Sequence, residues 1–411
     1  MHINIDLNCL FDGSLGYNLK DKDVFKKNIE KCIDAAKKIN LEIYNKSNEI
    51  INSFSFNYQK KIKEQKKFIK IKNKKLVIGL GGSSAGAKAI SSYLDREIFF
   101  FDNYDPKFIN NFFNNNNLND FTIFVISKSG STYETLSILN LTYQHLLKIS
   151  NPISISENLV IVTENKESFL CNFSKEKKIT LVDHNKNIGG RFSVFSEPGM
   201  LLFDFDPSTV STASDPAMKM ISNLNVDDHN SPILNAACVL SLSQIMNLKF
   251  NTNLLYDYAL KNYSYWFHQL FAESLGKNSN ALTPTTSICP KDHHSMMQLY
   301  LDGPKDKLFN IYSPSDASYF EKFISLNLGN IENKLPDQLL NAQYFAIVKT
   351  FKEKKIPFRL FNNNDKKNKT FYILELLVFN IFETIILGYA QNINPYDQPA
   401  VEQIKLNTFN S

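Results

Sequence analysis

Small hydroxyl side chains crowd the segment Ser127 to Thr132, Ser-Lys-Ser-Gly-Ser-Thr. An apolar run, Ile123 to Ile126, precedes it, and a helical pattern follows with Leu136, Leu139 and Leu146 on one stripe. A strand, a hydroxyl-rich loop and a helix in that order aim backbone N–H groups and the positive end of a helix dipole at one point. Ser127, Ser129 and Thr132, with Lys128 adding positive charge, suit a phosphate monoester. The same residues also describe an ordinary strand-to-helix loop with an N-cap hydroxyl. A second loop has the same form: after the strand-like Leu76 to Leu80 come Gly81, Gly82, Ser83, Ser84, Ala85 and Gly86. Its glycines let the backbone approach a ligand closely. The order Gly-x-Gly-Gly-Ser-Ser-Ala-Gly is neither the dinucleotide fingerprint nor a Walker A loop. Two such loops point to a sugar-phosphate pocket rather than a nucleotide pocket.

Four further residues could carry chemistry. Arg191 follows Gly189 and Gly190 in a chain with only two other arginines, Arg96 and Arg359. A planar, bidentate cation is a specific choice there, for a ligand or for a carboxylate. Ala259, Tyr263, Trp266, Phe267, Leu270 and Phe271 mark the apolar face of one helix, and Glu273 falls on that face. A carboxylate so placed is partly desolvated, which raises its pKa and suits a general base. With Gly276 as a C-cap, it could equally reach water from the helix end. His293 and His294 are adjacent and point apart on a regular element, and no third ligand at suitable spacing makes a metal site. One of them could titrate near neutrality, or simply hold a loop. Pro399 at N1 starts a last helix on which Val401, Ile404 and Lys405 share a face; such a lysine usually reaches out to solvent.

The elements that must position these residues alternate. Strands are expected at Leu76–Leu80, Ile98–Phe101, Ile123–Ile126, Leu159–Val162 and Ile179–Val182, with helices between them and an asparagine-rich loop at Asn110–Asp120. Alternation argues for a parallel sheet covered on both faces, whose ligands bind beyond the C-terminal strand ends. Both loops lie there. Residues 1–60 read as a helical amphipathic arm, with Phe25, Cys32, Ala36 and Ile39 at helical spacing. The Pro- and Ser-rich Asp204–Pro216 stretch reads as a boundary, dividing the chain into 1–60, 61–210 and 211–411. A helical stretch to about Leu275 follows, then strands at Leu308–Tyr312 and Phe358–Phe361. The apolar run Phe371–Tyr389 is interrupted by Glu375, Asn380 and Glu383 and reads as a buried core helix, not a membrane span.

Composition bounds the rest. With 411 residues, 43% of them hydrophobic, and a net charge of +5, the chain can bury sizeable cores and has no strong polyanion-binding character. The Lys60–Lys75 run reads as a solvated face or linker; nucleic-acid binding would rest on it alone. Five scattered cysteines argue against a disulfide framework or a thiolate metal site. The N-terminus, with Asp6 where an apolar run should be, does not read as a signal peptide, so the expected location is the cytoplasm.

Six segments in order, GLGGSS, SKSGSTYET, NIGGRFSVFSEPG, ESLGKN, DHHSMMQLYLDG and NPYDQPAVEQIK, resemble the glucose-6-phosphate isomerase family of the sugar-isomerase superfamily. The resemblance covers about Leu76 to Lys405. It implies an α/β fold of two sugar-isomerase-type domains, each a mostly parallel sheet flanked by helices. It also implies reversible interconversion of glucose 6-phosphate and fructose 6-phosphate through a cis-enediolate, a step of glycolysis and gluconeogenesis, with no metal or organic cofactor. Residue by residue it implies Ser127, Lys128, Ser129 and Thr132 at the phosphate, with Gln398 on the phosphate side and Gly82 and Ser83 near the sugar. Glu273 would be the base and Arg191 the stabiliser of the enediolate; His294 and Lys405 would assist ring opening. His294 matches Asp-x-His-Ser and in the family comes from the partner subunit, which implies a homodimer. Ala400 and Ile404 stand where the family often has glycine, adding bulk. Two alternatives stay open: a bifunctional phosphoglucose/phosphomannose isomerase, and a sugar-phosphate-binding regulator without catalysis.

Overall fold

The computed structural model describes residues 1–15, 17–278, 281–315, 335–365 and 367–401. Among these the strands are β1 (Ile3–Asp6), β2 (Lys74–Ile78), β3 (Ile98–Phe101), β4 (Phe121–Ile126), β5 (Leu159–Thr163), β6 (Thr180–Asp183), β7 (Phe250–Leu255), β8 (Thr283–Ile288), β9 (Lys307–Tyr312) and β10 (Phe358–Asn363). They form two five-stranded sheets. Contacts divide the chain into two compact units, residues 41–215 and residues 1–40 with 216–411. This differs from a division at residues 60 and 210.

In the 41–215 unit the order is β3-β2-β4-β5-β6, every pair parallel. All six residues of β4 are buried, as a parallel strand covered on both faces requires. Ile123, Val125, Leu159 and Ile161 pack with Ile138 and Leu139 of the Tyr133–Ile149 helix. The chain winds one way from β2 to β3 and the other way from β4 to β6, so the switch point lies between β2 and β4. Ligand crevices form at such points. The asparagine-rich stretch is not a loop: Pro106–Asn115 is a helix, because Asp105 caps it by accepting from the amides of Lys107 and Phe108, and Ile109 and Phe112 are buried on one face. The lysine run is largely paired. Lys66 meets Asp204, Lys67 meets Glu64 and Lys70 meets Glu157.

In the other unit the order is β1-β10-β9-β7-β8, with only β1 antiparallel. Residues 3–6 are therefore a strand and not part of a helical arm; pairing with β10 decides it, and the helix Asp23–Tyr44 follows. The expected helical run to Leu275 is broken by β7, and β8 was hidden likewise. β7 carries buried polar residues that bond to its neighbours: Thr252 to Thr285 of β8 at 2.8 Å, and Asn251 and Asn253 to the Asn310 amide of β9 at 2.8 and 2.9 Å. The helix Lys369–Ala390 is long and apolar enough to cross a membrane, yet 94% of its most apolar window is buried inside the protein. It packs against the helices Pro232–Met246 and Lys261–Leu275 as a core element.

Candidate active site

The hydroxyl loop leaves β4 at the switch point. Ser127 is buried, and its Oγ lies 2.8 Å from Thr132 Oγ1 and 3.5 Å from Ser129 Oγ. Ser129 Oγ is 3.5 Å from Thr132 Oγ1 and accepts from the Ser131 amide at 3.3 Å. Three hydroxyls therefore converge ahead of a 17-residue helix, Tyr133–Ile149, whose first amides receive no side-chain cap from Thr132. Uncapped helix amides and clustered hydroxyls at one point are the groups that an anion cradle uses. Gly130 makes the turn with φ +71°, and a Cβ there would stand 2.3 Å from Ser168 Oγ. Lys128 lies in the loop beside a carboxylate. Its ammonium is 3.8 Å from Glu164 Oε1, and burial holds its pKa below the ordinary lysine value.

The glycine loop is locked to the segment that carries Arg191. A Cβ on Gly82 would fall 2.1 Å from the Gly190 carbonyl carbon and 2.5 Å from the Arg191 nitrogen. Ser193 Oγ then donates to the carbonyls of Gly190 and Gly82, at 2.8 and 3.1 Å. Only glycine permits this approach of two backbones, which brings Gly82 and Ser83 beside Arg191. Arg191 is 2% exposed, and its guanidinium lies 5.1 Å from the Phe192 ring centroid.

The second unit holds the other candidates. Glu273 is half-buried on the Lys261–Leu275 helix, where Tyr263, Trp266, Phe267, Leu270 and Phe271 face the core. Gln269, one turn earlier, donates from Nε2 to Glu273 Oε1 at 3.0 Å, and its own Oε1 is buried with no partner among the described residues. The sequence reading missed Gln269, although its i, i+4 spacing from Glu273 was visible. Just beyond this helix, Lys277 pairs with Asp397 at 2.6 Å and donates to the Asn394 carbonyl at 2.5 Å. That tether brings the segment carrying Gln398 to the end of the Glu273 helix. His294 ends the short turn Lys291–His294 and is exposed. Pro399–Val401 forms a single helical turn, and Lys405 lies outside the described residues.

A cavity of about 680 Å³ lies beside the C-terminal ends of β5 and β6, lined by Glu49, Lys61, Glu164, Asp183, His184 and Glu197 among others. None of the candidate residues lines it. His184 there is 1% exposed with Nδ1 3.0 Å from the Asn185 carbonyl, and burial pushes its pKa below the usual 6.5. The unfolded chain then takes up the proton first. His184 contributes stability that is complete above about pH 6.5 and is lost as the pH falls below that toward its folded value. Urea midpoints measured at pH 7 and pH 5 should therefore fall less for His184→Asn than for the unmodified chain; equal falls would refute the assignment.

The phosphoglucose isomerase family model matches residues 44–289. A glucose-6-phosphate isomerase of Methanocaldococcus jannaschii is 30% identical over 80% of this chain and 82% of its own length. A probable glucose-6-phosphate isomerase of Methanococcus maripaludis is 28% identical over 97% and 93%. In fold, a hypothetical protein of Thermus thermophilus superimposes with a TM-score of 0.82 at 22% identity, covering 99% of both chains.

Proposed function

The chain belongs to the phosphoglucose isomerase family, and from that premise we infer that it interconverts glucose 6-phosphate and fructose 6-phosphate by proton transfer. The observation that carries this reading is the convergence of the Ser127, Ser129 and Thr132 hydroxyls ahead of a long helix at the sheet's switch point. It suits a phosphate dianion held well away from the reacting carbons, so that binding energy positions the open chain. The Gly82 backbone and Ser83 meet the sugar hydroxyls. Lys128, paired with Glu164, supplies background positive potential rather than a direct contact.

Opening the sugar ring moves a proton onto the ring oxygen and takes one from the anomeric hydroxyl as the C1–O5 bond breaks. His294 and Lys405 carry out this exchange, and Gln398 steadies the phosphate side. Glu273 then takes the proton from C2 and returns it to C1 while the hydroxyl proton on O2 passes to O1; for the reverse reaction both transfers run the other way. The cis-enediolate between these two transfers bears negative charge on oxygen, which the Arg191 guanidinium stabilises. Gln269 steadies the Glu273 carboxylate by donating to one of its oxygens. The exposure of His294 in this chain fits its delivery into the site of a second copy, so the working unit is a homodimer. The protein acts in the cytoplasm, in glycolysis and gluconeogenesis.

The test is conversion of fructose 6-phosphate to glucose 6-phosphate by EDTA-treated protein, followed through a coupled dehydrogenase. Turnover is expected. Binding of both sugar phosphates without turnover would replace the enzyme by a sugar-phosphate-responsive regulator. Comparable turnover of mannose 6-phosphate would extend the assignment to a bifunctional isomerase.

A further inference from the structure

Two histidines stand side by side at the end of the Lys291–His294 turn, and the reading above uses only the second. His293 is engaged differently. Its Nε2 lies 2.6 Å from the hydroxyl of Tyr256, and the two rings meet edge to face at 5.6 Å. Tyr256 follows directly on β7, the strand from which the sheet runs to β8 on one side and β9 on the other. It is 2% exposed. Its backbone amide donates to the Tyr312 carbonyl at 3.2 Å, and its ring packs edge to face on Tyr344 at 5.4 Å. It is thus a rigid anchor at the end of a strand one in from the sheet's edge.

Burial sets the charge state of both partners. Desolvation pushes the Tyr256 phenol up, reinforced by the adjacent Cys289, so it keeps its proton. Desolvation and the neighbouring His294 push His293 down, so a neutral ring and a neutral phenol share one hydrogen at Nε2. The residue before His293 is also fixed. Asp292 accepts from the Ile288 amide at 2.8 Å and from Ser295 Oγ at 3.2 Å. The His293 amide donates to the Pro290 carbonyl at 3.0 Å. Both residues leading into His294 are therefore clamped, while the His294 side chain has no hydrogen-bond partner among the described residues and projects into solvent.

We propose that Tyr256 and His293 form a positioning pair: the phenol, fixed in the sheet, holds His293, and so sets the angle at which the turn presents His294 to the sugar ring. The pair touches no substrate. Holding His293 neutral has a second consequence, because a cation there would repel the charge that His294 takes up when it receives a proton. The proposal rests on the assignment of ring opening to His294.

Tyr256→Phe removes one hydroxyl and nothing else. Expected is a roughly ten- to hundredfold loss in enzyme-catalysed anomerisation of glucose 6-phosphate, read by NMR exchange between the anomers, with a parallel loss in kcat. Affinity for the open-chain mimic 5-phosphoarabinonate should stay within about twofold, because ring opening is not needed to bind it. His293→Gln, whose amide oxygen can accept from Tyr256, should keep most of the activity that His293→Ala loses. His294→Asn separates the two layers of the argument. If it abolishes anomerisation while Tyr256→Phe leaves it intact, the pair has no positioning role. If His294→Asn itself leaves anomerisation intact, the assignment of His294 falls and takes the pair with it. Equal losses of anomerisation and of affinity for the open-chain mimic in Tyr256→Phe would show a damaged fold and refute positioning.

Discussion

Glu273→Gln is expected to lower kcat by roughly 10²- to 10⁴-fold, the range for losing a positioned general base, with KM within a few-fold of the unmodified chain. The substitution keeps the volume of the side chain and its place on the Lys261–Leu275 helix. Gln269 Nε2 can still donate to the new amide oxygen as it does to Glu273 Oε1. The phosphate loop is built in the other unit from Ser127, Ser129 and Thr132 and is untouched, so ground-state binding should survive. A loss confined to kcat is the signature of an interaction made only in the transition state. The decisive companion measurement is exchange of the C2 proton with deuterated solvent, which should fall with kcat. If Glu273→Gln keeps even a tenth of the exchange rate, another group is the base.

Much of this arrangement was legible in the residues, and the reasons differ by element. The sheet of the 41–215 unit could be read because its inner strands hold apolar runs covered on both faces; β4, Phe121–Ile126, and β5, Leu159–Thr163, are buried throughout. The two loops that follow β2 and β4 could be read because small residues interrupt those runs abruptly. The Pro106–Asn115 helix was missed because asparagine is a poor helix former; the Asp105 cap and the Ile109 and Phe112 face outweigh that weakness. Strand β1 is four residues long, and only its pairing with β10 makes it a strand. The contact of Gly82 with Gly190 leaves no side-chain pattern at all, since it depends on what both residues lack. Lys128 was read as a phosphate ligand from its place in the loop, but Glu164 from the next strand's loop competes for the same charge. Local sequence does not contain that competitor.

Strand β7 failed to show for the opposite reason: its polar residues Asn251, Thr252 and Asn253 are buried, and their partners come from other elements. Asn253, Asn310 and Arg359 occupy one cross-strand row through β7, β9 and β10. Arg359 donates from Nε to Asn310 Oδ1 at 2.9 Å, from Nη1 to Asn235 Oδ1 at 3.0 Å, and from Nη1 to the Glu383 carboxylate. Arg359 and Glu383 are each 1% exposed. Arg359→Met would leave that carboxylate buried and unpaired, together with two amide oxygens that lose their donor. The expected cost is about 3–5 kcal/mol, a fall in melting temperature of about 10 °C for a unit of this size. Arg359→Met with Glu383→Leu removes the stranded charge but still leaves Asn235 and Asn310 without a donor, at about 1–3 kcal/mol for each unsatisfied group. The double variant should therefore be no less stable than Arg359→Met alone, and far more stable than the sum of the two single losses. Thermal melts of the three variants decide the matter. Additive losses would mean that the arginine and the carboxylate stabilise the sheet independently, and that the row through β7, β9 and β10 is not one network.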